Sequence, residues 1–140
     1  MSPQTDLRLT IGELAEAAGM TVRNVRNHQS RGLIGPPVLE ARTGYYGAEH
    51  LERLQLIRRM KPLGFSVQEM RELLDARDTV AADQTHAEAR ERLARFAEDV
   101  KRRADDLAAK ASRGSQLVAV LERESRGEIV DGRAPEFGDS

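Results

Sequence analysis

Residues 83 to 111 contain neither proline nor glycine, and Ala89, Leu93, Phe96, Val100, Ala104, Leu107 and Ala111 recur every three or four positions. That interval matches the turn of an α-helix and predicts one long helix with a single apolar stripe. Its other faces carry Glu88 with Arg92, Glu91 with Arg95 and Glu98 with Arg102, each acid four residues ahead of its base, the order that supports an exposed helix. A helix of roughly 28 residues extends about 40 Å, further than a small neighbouring core can cover. The stripe therefore predicts a seam that meets the same seam of a second copy. The alternative is a hairpin, with Gln116 to Leu121 folding back after a break at Ser112-Arg113-Gly114-Ser115. That segment is too short to cover the whole stripe.

The chain ahead of this helix is punctuated differently. Thr10-Ile11-Gly12-Glu13 has the spacing of a capping box, in which threonine and glutamate satisfy each other's free backbone N–H groups. Ile11, Leu14, Ala15 and Ala18 give the helix one narrow apolar stripe, and Gly19 ends it. Thr21 caps a second helix running to about Arg31, and two short helices joined by so tight a glycine turn outline a helix-turn-helix. On the second helix Val22, Val25 and Gln29 share one face, while Arg23, Arg26, Asn27 and Ser30 share the other. Arginine bridges guanine acceptors or grips phosphate, and asparagine pairs with adenine, so the outer face holds the residue types a major-groove helix uses.

Gly32-Leu33-Ile34-Gly35-Pro36-Pro37 cannot continue a helix. Val38 to Tyr46 reads as a small hairpin, with Arg42-Thr43-Gly44 as the turn and Gly44 in the role of a residue with positive φ. A hairpin in this place is a wing, whose arginine and tyrosines stand where phosphates or a minor groove are reached. Leu51, Leu54, Ile57 and Met60 define a further helix that Pro62 ends at about Lys61. Ser66-Val67-Gln68-Glu69 is a second capping box, opening a helix through Met70, Leu73 and Leu74. The expected core, including Leu14, Val25, Leu33, Leu54, Ile57, Phe65, Met70 and Leu74, is small.

Composition closes off several classes of function. With no cysteine in 140 residues there is no disulfide framework, thiolate metal cluster or cysteine nucleophile. His28, His50 and His86 are isolated and read as surface imidazoles, so no metal site and no cofactor is expected. Acids pair with bases along helix surfaces, no glycine-rich phosphate loop is present, and no catalytic group of serine, histidine and aspartate is nominated. No apolar run approaches the roughly 20 residues of a membrane helix, and the N-terminus lacks the order of a signal peptide. The chain reads as soluble and cytoplasmic. Its net charge of −1 means that a nucleic-acid role rests on where the arginines sit.

Taken in order, Leu9-Thr10-Ile11-Gly12-Glu13-Leu14-Ala15, Gly19-Met20-Thr21-Val22-Arg23-Asn24-Val25-Arg26, Gly32-Leu33-Ile34-Gly35-Pro36-Pro37, Gly44-Tyr45-Tyr46-Gly47 and Leu63-Gly64-Phe65-Ser66 resemble the MerR family of bacterial transcription regulators. The resemblance implies a winged helix-turn-helix, a homodimer through a long antiparallel coiled coil, and binding to a near-palindromic promoter element. It also implies bending and untwisting of an overlong promoter spacer so that RNA polymerase engages both elements. Arg23 and Arg26 fall on the family's recognition-helix arginines, and Arg42 with Tyr46 on its wing. Asn27-His28-Gln29 stands where the family often has Tyr-Tyr-Glu, and Tyr46 matches either the family's wing arginine or the tyrosine after it. Pro62 is a further departure.

The expectation is thus a mainly α chain. It comprises an N-terminal arm over 1–8, a winged helix-turn-helix with a small β-hairpin wing over 9–76, and a long coiled-coil dimerisation helix over 77–112. A short helix over 113–126 and a disordered tail over 127–140 complete it. Thr21, Arg23, Asn24, Arg26, Asn27, His28, Arg42, Tyr45 and Tyr46 are the candidate contacts to double-stranded DNA. Leu93, Phe96, Val100, Ala104, Leu107 and Ala111 are the candidate dimer contacts within residues 83–111. RNA polymerase or another regulatory protein is a further expected partner, with no membrane partner and no dedicated effector domain. Two other readings use the same residues: a coiled-coil module whose helix-turn-helix binds protein, and an excisionase-like DNA bender.

Overall fold

The computed structural model describes residues 7–128, so most of the expected arm and tail lies outside the described residues. Element order is α1 (Ile11–Ala18), α2 (Val22–Ser30), β1 (Val38–Glu40), β2 (Thr43–Tyr45), α3 (Ala48–Met60), a 3₁₀ turn (Lys61–Leu63), α4 (Val67–Ala82) and α5 (Ala87–Ser125). This is the expected architecture: short helices, a two-stranded antiparallel hairpin, then a long helix. The chain divides into two units, Met1–Ala97 and Glu98–Ser140.

In the first unit both capping boxes form. Thr10 Oγ1 accepts from the Glu13 N–H at 3.3 Å while Glu13 Oε1 accepts from the Thr10 N–H at 2.9 Å. Ser66 and Glu69 repeat the exchange at 3.1 and 2.9 Å. Gly19 takes φ 68° to end α1, a left-handed conformation that costs a residue with a Cβ. Arg58 of α3 covers that corner, and its Nη1 donates to the Ala18 carbonyl at 3.2 Å. Packing of α1 on α2 and α3, and of α3 on α4, buries every expected core residue. Leu14, Val25, Leu54, Ile57 and Leu74 lose all exposure, and Tyr46, Ala76 and Ala89 join them.

Two boundaries differ from the expectation. The division at 76/77 falls inside α4, which continues to Ala82. Nothing in Ala76-Arg77-Asp78-Thr79-Val80-Ala81-Ala82 breaks a helix. Asp78 and Arg77 also fasten this stretch to α3 through Arg53 and Glu52. The helix stops instead at Asp83, whose Oδ1 accepts from both the N–H and the hydroxyl of Thr85. His86 Nδ1 then accepts from the Ala89 N–H at 3.1 Å as α5 begins.

The second difference is the expected break at Ser112-Arg113-Gly114-Ser115, where α5 runs on without interruption to Ser125. One glycine and two serines cost a helix about 0.5 to 1 kcal/mol each, too little to stop one flanked by alanine, leucine, lysine and glutamate. There is accordingly no separate helix over 113–126 and no fold-back. In the second unit Leu107, Leu117, Val118 and Leu121 are exposed, at 41 to 54%.

Candidate nucleic-acid interface

Thr21 sets the start of α2, its Oγ1 accepting from the Asn24 N–H at 3.1 Å. From there the 3.6-residue period sorts the helix. Val25 is fully buried, Val22 and Gln29 are half-buried, and Arg23, Asn24, Arg26, Asn27 and Ser30 are exposed. The Ser30 hydroxyl donates to the Asn27 carbonyl at 2.8 Å, which leaves two arginines and two asparagines as the free polar groups of this face.

The wing forms, with its turn in another place. Val38 pairs with Tyr45, Leu39 with Gly44 and Glu40 with Thr43, so the two loop residues are Ala41 and Arg42. Both hold positive φ, at 48° and 71°, the geometry of a primed hairpin turn. Gly44 is needed for closeness instead of a turn. A Cβ there would stand 2.9 Å from Pro37 Cγ and 3.1 Å from its Cβ, because Pro37 leads into β1 across that face. Arg42 is presented at the tip, exposed.

Two expected contacts do not stand on the outer surface. Tyr46 is 4% exposed. Its hydroxyl donates to Gln29 Oε1 at 2.8 Å, and its ring meets His50 edge to face at 5.0 Å. Burial raises its phenol above the usual value, opposed by the charge of Arg26, so it stays a neutral donor. His28 is half-buried on the inner flank of α2 and its Nδ1 has no partner. Burial first, then the charges of Lys61 and Arg31, lowers its pKa and keeps it neutral. His28 is turned inward by the helical period of α2, and Tyr46 by its bridge to Leu9 just beyond β2.

Tyr45 keeps its half-exposed position on the hairpin's outer face, where the Arg8 guanidinium stacks over its ring at 4.5 Å. Arg8 also forms an ion pair with Glu40. Leu9 exchanges two 2.8 Å backbone bonds with Tyr46, which lengthens the wing's root by one bridge. The sequence reading missed Arg8, whose partners lie some thirty or more residues away, and only the alternation Arg8-Leu9 before the cap hints at a strand. Three further arginines are spent on backbone carbonyls of the fold. Arg53 donates to the Leu33 carbonyl at 2.9 Å, Arg58 to Ala18, and Arg71 to the Arg31 carbonyl at 2.5 Å. Among the described residues no group of three His, Asp or Glu side chains is placed to hold a metal ion, and no helix is long and apolar enough to cross a membrane.

A donor-bearing helix held by a capped turn, with a hairpin of three-residue strands beside it, defines a winged helix-turn-helix module. Residues 9–77 match the family model described as MerR HTH family regulatory protein, and residues 51–113 that described as MerR, DNA binding. A mercuric resistance operon regulatory protein of Serratia marcescens is 32% identical over 111 residues, covering 79% of this chain and 74% of that protein. The HTH-type transcriptional regulator CueR of Yersinia pestis is 37% identical over 68 residues, 47% of this chain and 48% of CueR. The chain thus spans about half the length of some of its curated relatives. The fold is shared with HiNmlR, a MerR family regulator lacking the sensor domain and solved bound to promoter DNA. Its TM-score is 0.66 at 18% identity, over 86% of this chain and 96% of that one. The chain belongs to the MerR family of helix-turn-helix regulatory proteins.

Proposed function

We propose that this protein is a cytoplasmic transcription regulator that binds a near-palindromic promoter element as a homodimer and bends or untwists the DNA between its half-sites. The observation that carries the reading is the division of α2, with Val25 wholly buried and Arg23, Arg26 and Asn27 exposed beside a wing that presents Arg42. Arg23, Arg26 and Asn27 face base edges in the major groove, and Arg42 reaches the flanking backbone. Thr21 and Asn24 stand at the N-terminal end of the same helix, close to phosphate. Leu93, Phe96, Val100, Ala104, Leu107 and Ala111 line the dimer seam, and the uninterrupted helix prolongs it to Val118 and Leu121. Distorting a site of this length costs of order 1 to 6 kcal/mol, which two clamps of charge-assisted contacts offset. RNA polymerase then engages the reshaped promoter.

Selection of bound sequences from a random DNA pool, at two salt concentrations, tests this. The expected product is an inverted repeat. Arg26→Ala lowers affinity by about 1 to 3 kcal/mol and relaxes one base preference if Arg26 reads guanine. Retention without enrichment would favour a helix-turn-helix that serves protein contacts.

A further inference from the structure

We infer that Tyr46 is a positioning residue for DNA binding, one that holds the wing at a fixed angle to α2 through Gln29 and His50 and so sets where Arg42 stands relative to Arg23 and Arg26. This deepens the proposed function and rests on it. The wing has two strands of three residues, and Val38 and Leu39 on β1 are 64% and 71% exposed. A lone two-stranded hairpin is marginally stable in water, and this one leaves much of its surface uncovered. Its angle is therefore decided at its root.

Tyr46 is that root. Its backbone is bound to Leu9 in both directions and the whole residue is 4% exposed. Its hydroxyl crosses to Gln29, one helical turn beyond Arg26 on α2, at 2.8 Å. Under the ring, His50 Nδ1 accepts from the Gly47 N–H at 3.1 Å. Its Nε2 lies 3.1 Å from the Pro36 carbonyl, to which it donates in the tautomer that Gly47 requires. One imidazole thus pins the chain both where it enters the wing and where it leaves. Arg26, Gln29, Ser30, Pro37 and Gly44 line a groove with Tyr46 of about 510 Å³, so the hydroxyl bridges the two walls between which a DNA backbone would lie.

Tyr46→Phe keeps the ring and removes only the bridge. The experiment is a double-mutant cycle on the full chain, measuring affinity for the selected operator with Tyr46→Phe, Arg42→Ala and the pair, alongside each thermal midpoint. The expected result is an affinity loss of about tenfold for Tyr46→Phe, of the size of one hydrogen bond. That loss disappears in the Arg42→Ala background, because a wing without its cation no longer profits from being aimed. An equal loss in both backgrounds, or none in either, overturns the inference while leaving the DNA reading intact. Failure of the unsubstituted chain to bind any DNA overturns both. Gln29→Met, which removes the acceptor and keeps the volume, is expected to reproduce Tyr46→Phe and to add nothing to it.

Discussion

Arg53 grips both carboxylate oxygens of Asp78 through Nη1, at 2.9 and 2.8 Å, while its Nε holds the Leu33 carbonyl. The arginine side chain is 11% exposed and the aspartate 56%. The pair joins α3 to α4 and steadies the segment that leads from α2 into the wing. Arg53→Met leaves a carbonyl without its donor and is expected to cost about 2 kcal/mol. Asp78→Ala removes the exposed half of the pair, leaves Arg53 its bond to the Leu33 carbonyl, and costs less than about 1 kcal/mol. Urea unfolding of the two variants measures the difference, and equal losses would contradict the assignment.

Ala41 and Arg42 hold positive φ in the wing's turn, a conformation that costs non-glycine residues about 1 to 2 kcal/mol each. Asparagine and glycine suit these positions. Ala41→Asn is expected to raise the melting temperature and keep operator binding. Arg42→Gly is expected to raise it too but to weaken binding, because relief of strain comes with loss of the tip cation. Melting curves and operator affinities for the two variants check both halves.

Two glycines are expected to respond in opposite directions to alanine. At Gly44 a methyl group meets the rigid ring of Pro37 at 2.9 Å, so Gly44→Ala displaces the hairpin and lowers stability. At Gly114 nothing lies within 4 Å and the backbone is helical, so Gly114→Ala stabilises α5 by about 1 kcal/mol. Helical circular dichroism followed through thermal unfolding compares them with the parent chain.

His28 gives the fold a dependence on mild acid. Its folded pKa lies below the 6.5 of an unperturbed imidazole, through burial and then Lys61 and Arg31. Between those two values the unfolded chain binds more protons than the folded one, so stability present above pH 6.5 falls as the pH drops toward the folded value. His28→Gln is expected to flatten the change in unfolding free energy between pH 7.5 and 5.5. An unaltered slope would place the dependence elsewhere.

Soft metal ions select thiolate ligands, and the 140 residues hold none. Mercuric or lead ions added in equimolar amount to the purified chain are therefore expected to give no thiolate-to-metal charge-transfer absorbance and no change in operator affinity. A stoichiometric spectral change would reveal a site of another kind.

The sequence by itself determined what local chemistry determines. Thr10 with Glu13 and Ser66 with Glu69 are capping boxes three residues apart, Gly19 ends a helix through its own backbone freedom, and the 3.6-residue period already sorted Val25 from Arg23 and Arg26. These are short-range effects that the neighbours of each residue complete. Tertiary structure decided the rest. Tyr46 and Arg42 look equally available on a hairpin, and only the meeting of α2, α3 and the strand root buries one and leaves the other at the tip. The same holds for Arg53, Arg58 and Arg71, which count as cations in the sequence and serve as caps on distant carbonyls in the fold. The continuity of α5 through Gly114 was missed because each weak breaker there costs about 1 kcal/mol or less, a term the surrounding helix outweighs. The end of α4 was placed too early because no residue from Ala76 to Ala82 breaks a helix, and Arg77 and Asp78 tie this stretch to α3.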